Sequence, residues 1–308
     1  MTAAALPDSP AAWAARLHEV GYVADPALAT TVFLASRLAK PILAEGPAGV
    51  GKTALATALA RAGGARLLRL QCYEGLDEAR TLYEWKYGKQ LLYVQLLRDA
   101  VGRELAGAAS LADAVTRLGA ADDAFFSEAF LEPRPLLEAV RATDPVVLLI
   151  DEVDRAEDEL EAFFLEVLAE YQVTVPELGT FVAARPPTVV LTSNATRELS
   201  DALRRRCLFL PMGYPDAARE AAIVHHHVPD VAARLAGQLV GFVAGLRRLD
   251  LRKQPSIAET LDWARALVVL GADDLGEAVV HDTLTLLVKY EGDLEVARAA
   301  VPSLLAAR

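Results

Sequence analysis

Cysteine is nearly absent from this sequence, with only Cys72 and Cys207 among its 308 residues. The two lie far apart, and neither has a second sulfur or a histidine at the spacing of a metal-ligand set. We therefore expect both to be small buried hydrophobic residues of a protein from a reducing compartment. A disulfide, a redox pair or a cysteine-bound metal is not expected.

Positive charge is also scarce. The chain has 31 Lys and Arg residues against 42 Asp and Glu residues, and its net charge is −11. Proteins whose main partner is a nucleic-acid backbone depend on clustered Lys and Arg. We therefore expect no nucleic-acid partner, although a local basic pore remains compatible with this balance.

Long hydrophobic runs are missing as well. The longest strongly aliphatic run, 146–150, has the length of a strand, whereas a membrane span needs about 18 or more apolar residues. The beginning of the sequence contains Asp8 and no basic residues, which is unlike a secretion signal. We therefore expect no integral membrane segment and a cytoplasmic location.

One segment matches the phosphate-loop pattern G-x-x-x-x-G-K-[ST] at every fixed position. Its residues are Gly46, Pro47, Ala48, Gly49, Val50, Gly51, Lys52 and Thr53. An apolar stretch typical of a buried strand, 41–44, precedes the loop, and a helical pattern, 54–60, follows it, which is the order that the motif requires. A glycine-rich turn that binds nothing is the alternative, and this context disfavours it.

The chemistry of a bound polyphosphate explains the residue types in this loop. Glycines let the backbone wrap the phosphates so that N–H groups point inward, and the positive end of the following helix adds to the field. Lys52 supplies a cation for the β- and γ-phosphates, and the Thr53 hydroxyl is a natural Mg²⁺ ligand.

Two later strands end in polar residues. The apolar run 146–150 is followed by Asp151 and Glu152, and the run 188–193 is followed by Asn194. The carboxyl ends of buried parallel strands open onto a ligand crevice. There Asp151 would reach the Mg²⁺ shell, Glu152 would polarise the attacking water, and Asn194 could orient it. The alternatives are a helix-capping acid and a turn-forming Asn.

The remaining segments suggest two parts. We expect helices and an α/β nucleotide-binding domain over residues 1–213, with an insertion within 73–144 and a projecting β-hairpin near 172–183. Within the insertion, an aromatic-rich helical stretch begins at 82–87, and 111–118 is helical. Residues 214–308 are expected to form a helical lid domain.

The order of these features resembles an AAA+ ATPase. The phosphate loop, the Asp-Glu pair, the Asn, an arginine run before the fifth strand and a helical lid follow one another as in that family. The segments 128–137, 150–156 and 171–175 are similar to its MoxR branch. The segments 71–77, 82–85 and 252–263 resemble CoxD-type proteins, which are accessory to molybdenum-containing carbon monoxide dehydrogenase.

The resemblance implies an α/β P-loop fold with a five-stranded parallel sheet, in the strand order 5-1-4-3-2, and a C-terminal helical lid. It implies ATP and Mg²⁺ as ligands and a ring, expected to be a hexamer, with ATP at subunit boundaries. A von Willebrand factor A-domain protein and a client metalloenzyme, a molybdenum hydroxylase, are the implied partners. The implied function is remodelling driven by ATP hydrolysis, which matures the client's molybdenum and copper centre.

The resemblance also implies roles for individual residues. Lys52 and Thr53 take the Walker A roles, Asp151 and Glu152 the Walker B roles, and Asn194 the sensor 1 role.

The arginine finger and the second-sensor arginine of the AAA+ pattern match this sequence to different degrees. Arg206 aligns with the arginine finger that reaches a neighbour's nucleotide, and Arg205 is the second choice; solvated arginines are the alternative. The place of the second-sensor arginine is taken by Ala258. Arg252 or Lys253 could substitute for it, or the coupling of the lid could be weaker.

Other functions remain open at this point. A nucleotide-dependent binding scaffold with little turnover would carry the same phosphate loop. A MoxR-type ATPase acting on a different client is compatible with the same residues. A nucleic-acid motor or clamp loader of this fold is disfavoured by the acidic balance.

Overall fold

The computed structural model of the chain describes residues 6–96, 110 and 127–306. Thirteen α-helices and nine strands occur in the described part. The helices are α1 Pro10–Glu19, α2 Pro26–Leu38, α3 Lys52–Gly63, α4 Glu78–Leu82, α5 Tyr87–Leu96, α6 Pro135–Arg141, α7 Asp158–Glu170, α8 Asp201–Arg206, α9 Ala217–His227, α10 Ala233–Leu246, α11 Ile257–Val269, α12 Glu277–Thr283 and α13 Glu291–Ala306. The strands are β1 Ile42–Glu45, β2 Arg66–Gln71, β3 Tyr83–Trp85, β4 Leu131–Pro133, β5 Val146–Asp151, β6 Gln172–Val175, β7 Gly179–Val182, β8 Thr188–Ser193 and β9 Leu208–Pro211.

A five-stranded parallel sheet forms the centre of the molecule. Its order is β2-β5-β8-β1-β9, which is the predicted order 5-1-4-3-2 when these five strands are numbered along the chain. The predicted fold class is confirmed. All six residues of β5 are buried, as expected for a central parallel strand covered by helices on both faces.

The strand register aligns the carboxyl ends of the sheet. Gln71 pairs with Asp151, and Glu45, the last residue before the phosphate loop, pairs with Ser193. Because parallel strands end at one edge, the residues that follow β1, β5 and β8 meet there.

Two hydrophobic layers cover the sheet. One contains α1, α2 and α3 with alternate strand residues such as Val147 and Val190. The other contains α6, α7 and the hairpin β6–β7 with residues such as Leu148 and Leu191. The strand residues therefore alternate between two layers, which is the doubly wound arrangement.

The aromatic stretch in the insertion differs from the prediction. A helix was expected to begin at 82–87, but Tyr83–Trp85 forms β3, which pairs antiparallel with Leu131–Pro133, and α5 starts at Tyr87. Aromatic residues favour a pleated, half-buried surface, and Trp85 is buried there. The helix predicted at 111–118 lies outside the described residues.

The hairpin is present but does not project freely. β6 and β7 pair from Gln172 opposite Val182 to Val175 opposite Gly179. Val173 and Val175 are buried in the sheet's core, and Phe181 packs against it. One face of the hairpin is thus attached to the α/β core.

The helices from α9 onward surround a core of their own, which includes Trp263 and Phe242. None of the helices in residues 6–96 and 127–306 is both long and apolar enough to cross a membrane.

Candidate functional site

The phosphate loop connects β1 to α3. Gly49 and Gly51 have φ angles of 81° and 97°, which side chains other than glycine rarely adopt. A Cβ atom on Gly49 would also lie 2.2 Å from the Cβ of Ser256. Glycine at position 49 therefore permits both the loop shape and the close approach of α11.

The Lys52 side chain is buried beneath the loop. Its Nζ donates to the carbonyl oxygens of Gly46 at 2.5 Å and Pro47 at 2.7 Å, and to Asn194 Oδ1 at 2.9 Å. Burial lowers the pKa of Lys52, and the carboxylates of Asp154 and Asp151 oppose that shift. The ammonium is therefore held between the loop and the end of β8.

Thr53 and Asp151 bring side-chain oxygens together across the cleft. Thr53 Oγ1 lies 3.2 Å from Asp151 Oδ1. Asp151 also accepts from Thr192 Oγ1 at 2.5 Å and from Arg69 Nη2 at 2.6 Å. A hydroxyl beside a carboxylate is an oxygen donor set that fits Mg²⁺.

Glu152 has a left-handed backbone, with φ of 56°, which costs about 1–2 kcal/mol for a residue with a side chain. Four neighbours fix it, of which Arg155 pairs with its Oε2 at 3.3 Å. Its N–H donates to Thr192 Oγ1 at 2.9 Å, Gln71 Nε2 donates to its Oε2 at 3.0 Å, and Asn194 Nδ2 donates to its Oε1 at 3.4 Å. The carboxylate is therefore held beside Asn194 by a backbone conformation typical of functional sites.

Asp154 accepts hydrogen bonds that fix the backbone beside Glu152 and Asn194. Its Oδ2 accepts from the Asn194 N–H at 3.2 Å and from the N–H and Oγ1 of Thr196 at 3.0 and 2.6 Å. Burial alone would raise the pKa of Asp154, but the hydrogen bonds from Thr196 and Asn194 outweigh it and leave the pKa below its ordinary value. A buried anion thus sets the position of Asn194.

A cleft of about 720 Å³ opens above these groups. The segment between α1 and α2 forms one wall through Tyr22 and Val23. Arg219 of α9 holds this wall, because its Nε donates to the Val23 carbonyl oxygen at 3.0 Å and its Nη1 to Asp25 Oδ2 at 2.5 Å.

The helical part touches the phosphate loop directly. The backbone N–H of Ile257, the first residue of α11, donates to the Gly49 carbonyl oxygen at 3.1 Å. Tyr214 Oη donates to the Ala48 carbonyl oxygen at 3.4 Å. Movement of the helices relative to the sheet would therefore disturb the loop itself.

The proposed substitutes for a second-sensor arginine are not at the cleft. Ala258 lines it, whereas the Arg252 guanidinium stacks on the Tyr290 ring at 4.4 Å and Lys253 pairs with Glu259 at 3.3 Å. The cation that α9 brings to the cleft is Arg219, which sequence reasoning did not single out.

The arginine run lies away from the chain's own cleft. Arg204 pairs with Glu45 at 2.8 Å. Arg205 is exposed and 3.8 Å from Asp201. Arg206 donates from Nη1 to the carbonyl oxygen of Leu165 at 2.8 Å, at an exposed position. None of the three arginines is among the described residues that line the cleft.

Sequence reasoning also missed Arg69, Gln71 and Thr192. A signal existed: Arg69 and Gln71 alternate at the carboxyl end of β2, and Thr192 lies two residues before Asn194. Residues at i and i+2 of a strand share a face. Polar residues at such places, next to the predicted Asp-Glu strand, mark neighbours of the site.

The two cysteines are buried and free, as predicted. Burial raises the pKa of each thiol to about 12, so neither is a reactive thiolate near neutral pH. Within the described ranges no group of three or more His, Cys, Asp or Glu side chains could hold a metal ion.

Comparison with protein families assigns the chain to a family. The model described as "AAA domain (dynein-related subfamily)" matches residues 41–207, more than half of the chain. The chain belongs to this family. It is an AAA+ ATPase, and the matched region contains the phosphate loop, the Asp151-Glu152 pair and Asn194.

Solved structures with distant similarity to the chain were also found. The RuvB Holliday junction branch migration motor of Thermotoga maritima is 15% identical with a TM-score of 0.46, over 91% of this chain and 72% of that one. A point mutant of that RuvB is 16% identical with a TM-score of 0.47, over 91% and 73%. No curated protein matched the chain.

Proposed function

We propose that the cleft binds ATP with Mg²⁺ and hydrolyses it with the residues that meet at the carboxyl edge of the sheet. One observation carries the proposal: the Lys52 ammonium, the Thr53–Asp151 oxygen pair and the Glu152–Asn194 pair lie on one continuous set of hydrogen bonds. Thr192 joins its two halves, because it accepts from the Glu152 N–H and donates to Asp151. This set combines a phosphate-binding cation, a metal-binding oxygen pair and a candidate base.

The phosphate end of the site is assigned to the loop 46–53. Lys52 leaves the carbonyl oxygens that it now contacts and binds the β- and γ-phosphates, while backbone N–H groups cradle them. Thr53 and Asp151 hold Mg²⁺, which neutralises charge on the phosphate oxygens. Arg69 has to share Asp151 with that ion.

The water end of the site is assigned to Glu152 and Asn194. The Glu152 carboxylate accepts a proton from the attacking water, and the Asn194 amide orients that water. Gln71 keeps the carboxylate in place until the water is bound, because it donates to Glu152 Oε2. Asp154 holds the Asn194 backbone.

We assign the arginine finger of the site to a neighbouring subunit. Arg206 is exposed and lies off the chain's own cleft, and this position supports a role in a ring, expected to be a hexamer. Arg205 is the second choice because it is also exposed. An arginine that stabilises the transferred phosphoryl group contributes about 10³–10⁵ in rate.

The work performed by hydrolysis is proposed to be of the MoxR type. Residues 214–308 act as a lid on the domain formed by 1–213, and the Ile257–Gly49 hydrogen bond supports this coupling. A cytoplasmic von Willebrand factor A-domain protein would deliver the client. Segments 71–77 and 252–263, which resemble CoxD-type proteins, favour a molybdenum hydroxylase whose metal centre is being completed.

Mixed rings test the finger. A Lys52→Ala subunit cannot bind ATP but keeps Arg206. An Arg206→Ala subunit binds ATP but lacks the arginine finger. Mixing the two should restore phosphate release above the sum of the separate variants. Arg205→Ala is the matched control from the same helix, and rescue of Arg205→Ala instead would move the role there. Mixed rings without any rescue would contradict action across an interface.

Phosphate release and client maturation test the wider function. An ATPase remodelling protein should release phosphate faster when the von Willebrand factor A-domain partner is added. It should also raise the activity of a co-expressed molybdenum hydroxylase. A scaffold would support the client without phosphate release, and Glu152→Gln would then behave as wild type in the client assay.

A further inference from the structure

The Asp151 carboxylate, which the proposed function assigns to Mg²⁺, forms an ion pair with a residue of the neighbouring strand. The Asp151 side chain is only 5% exposed, and Arg69 Nη2 donates to its Oδ2 at 2.6 Å. Within the described residues, Arg69 is the one basic side chain at ion-pair distance from this carboxylate. A buried anion without a cation is strongly unfavourable, so Arg69 supplies the charge that balances Asp151.

The two oxygens of this carboxylate have different partners. Oδ1 accepts from Thr192 Oγ1 at 2.5 Å, and Thr192 is itself fixed because it accepts from the Glu152 N–H at 2.9 Å. The shortest contact of Oδ2 is the one with Arg69. A guanidinium and a small dication on the same oxygen repel each other, so Arg69 and Mg²⁺ compete for Oδ2.

The Arg69 side chain has other partners when it leaves Asp151. Its Nη2 also donates to Gln71 Oε1 at 2.9 Å, because residues two apart on a strand share a face. The side chain is 54% exposed and lies at the cleft, so water also solvates the guanidinium. These partners offset part of the cost of releasing Asp151, which makes the ion pair exchangeable.

We propose that Arg69 competes with Mg²⁺ for Asp151 and thereby sets the Mg²⁺ concentration at which the cleft binds nucleotide. This inference rests on the proposed function, which places the ion on Thr53 and Asp151. Arg69 is a positioning residue: it holds the carboxylate beside Thr53 and yields Oδ2 to the metal. An exposed ion pair would contribute little, but the burial of Asp151 distinguishes this pair from an exposed one.

The dependence of nucleotide affinity on Mg²⁺ tests the competition without hydrolysis. Isothermal titration calorimetry with adenylyl imidodiphosphate, an ATP analogue with a stable β–γ bridge, should show tighter binding to wild type as free Mg²⁺ rises. Arg69→Gln removes the competing charge, so the Mg²⁺ concentration that gives half of this increase should fall by about 3–10-fold. That range lies between the effects of an exposed ion pair and of a buried charge-assisted hydrogen bond.

The matched control is an arginine on the same strand. Arg66 is 53% exposed and pairs with Glu138, and neither residue lines the cleft. Arg66→Gln therefore removes the same charge from β2 without altering the contacts of Asp151, and its Mg²⁺ midpoint should equal that of wild type. An equal shift in both variants would indicate a general effect of net charge and would overturn the proposal.

Thermal unfolding in EDTA, without nucleotide, measures the contact itself. Arg69→Gln should lower the melting temperature by about 2 °C, since the buried carboxylate loses its cation. The same substitution in an Asp151→Asn background should have a much smaller effect, because the two residues are coupled only while the carboxylate is charged. Equal losses in the two backgrounds would contradict a direct contact.

The calorimetry separates failure of this proposal from failure of the proposed function. A wild-type affinity for the analogue that does not change with Mg²⁺ would overturn the assignment of the metal to Asp151, and the competition with it. A wild type that responds to Mg²⁺, together with an unchanged midpoint in Arg69→Gln, would overturn the competition alone.

Discussion

Two buried polar clusters, one at the sheet edge and one among the C-terminal helices, differ in how fully their groups are paired. In the helical cluster, Arg247 donates to both carboxylate oxygens of Glu220 at 2.6 and 2.8 Å and to the Pro255 carbonyl oxygen at 2.8 Å. Its guanidinium also stacks on the Tyr214 ring at 4.2 Å. Thr260 closes the cluster by donating to Glu220 at 3.0 Å.

The sheet-edge cluster is satisfied less completely. Among the described residues, Asp154 Oδ1 is buried without a partner. Lys52 donates to two backbone carbonyl oxygens and to Asn194, and the Glu152–Asn194 contact is 3.4 Å. Side chains that must rearrange when a nucleotide binds cannot all have fixed hydrogen-bond partners before it binds. The difference indicates that the helical cluster keeps a rigid body together, whereas the sheet-edge cluster is organised for ligands and chemistry.

The largest stability effect is expected in the helical cluster. Glu220→Ala would leave the buried Arg247 guanidinium without its carboxylate, which costs about 3–5 kcal/mol. Urea unfolding should show this loss.

The control for that experiment is an exposed ion pair. Glu84 pairs with Arg134 at the surface, where both side chains are about half exposed, so Glu84→Ala should cost less than about 1 kcal/mol. Equal losses in the free energy of unfolding for the two variants would contradict the claim that the buried Glu220–Arg247 pair stabilises the fold more than a surface pair does.

A smaller effect, dependent on pH, is expected at Asp154. The Asp154→Asn variant loses the charge that accepts three hydrogen bonds, which should cost about 1–3 kcal/mol near neutral pH. The pKa of Asp154 is below its ordinary value in the folded protein. Its contribution is therefore complete above the unfolded pKa of about 3.9 and is lost as the pH falls through the folded pKa.

Unfolding at several pH values measures this contribution. The difference in stability between wild type and Asp154→Asn should shrink as the pH falls below about 4. Asp158→Asn, at an exposed carboxylate paired with Arg197, is the matched control and should change little. A difference that stays constant with pH would contradict the assignment.

The smallest effect is expected at the helix that touches the phosphate loop. Ser256 caps α11 in a capping box with Glu259, so Ser256→Ala should cost about 1 kcal/mol. Thermal unfolding would measure it against Ser303→Ala, whose hydroxyl lies on an exposed helix face. Because Ile257 binds Gly49, the Ser256 variant should also bind ATP more weakly, and unchanged affinity would argue against coupling through α11.

Local patterns predicted most of the fold. Three elements are recognisable from patterns of fewer than ten residues each: the phosphate loop, the apolar strand before Asp151 and the strand before Asn194. Parallel strands then bring their carboxyl ends together, so the meeting of Lys52, Asp151 and Asn194 follows from topology.

Features that depend on distant partners were not predicted. Tyr83–Trp85 forms a strand only because 131–133 pairs with it, and isolated aromatic residues do not reveal such a partner. The Arg219 contact with Asp25 joins residues 194 positions apart in the sequence. The roles of Gln71 and Thr192 depend on which strand lies beside β5, and strand order comes from the whole fold.

The central claim is that Glu152 at the sheet edge acts in chemistry and contributes little to holding the fold. Steady-state phosphate release by Glu152→Gln, measured together with ATP binding and thermal unfolding, tests it most directly. We predict that turnover falls by about 10²–10⁴-fold while ATP still binds and the melting temperature is unchanged. Undiminished turnover, or a loss of turnover fully explained by unfolding, would contradict the claim.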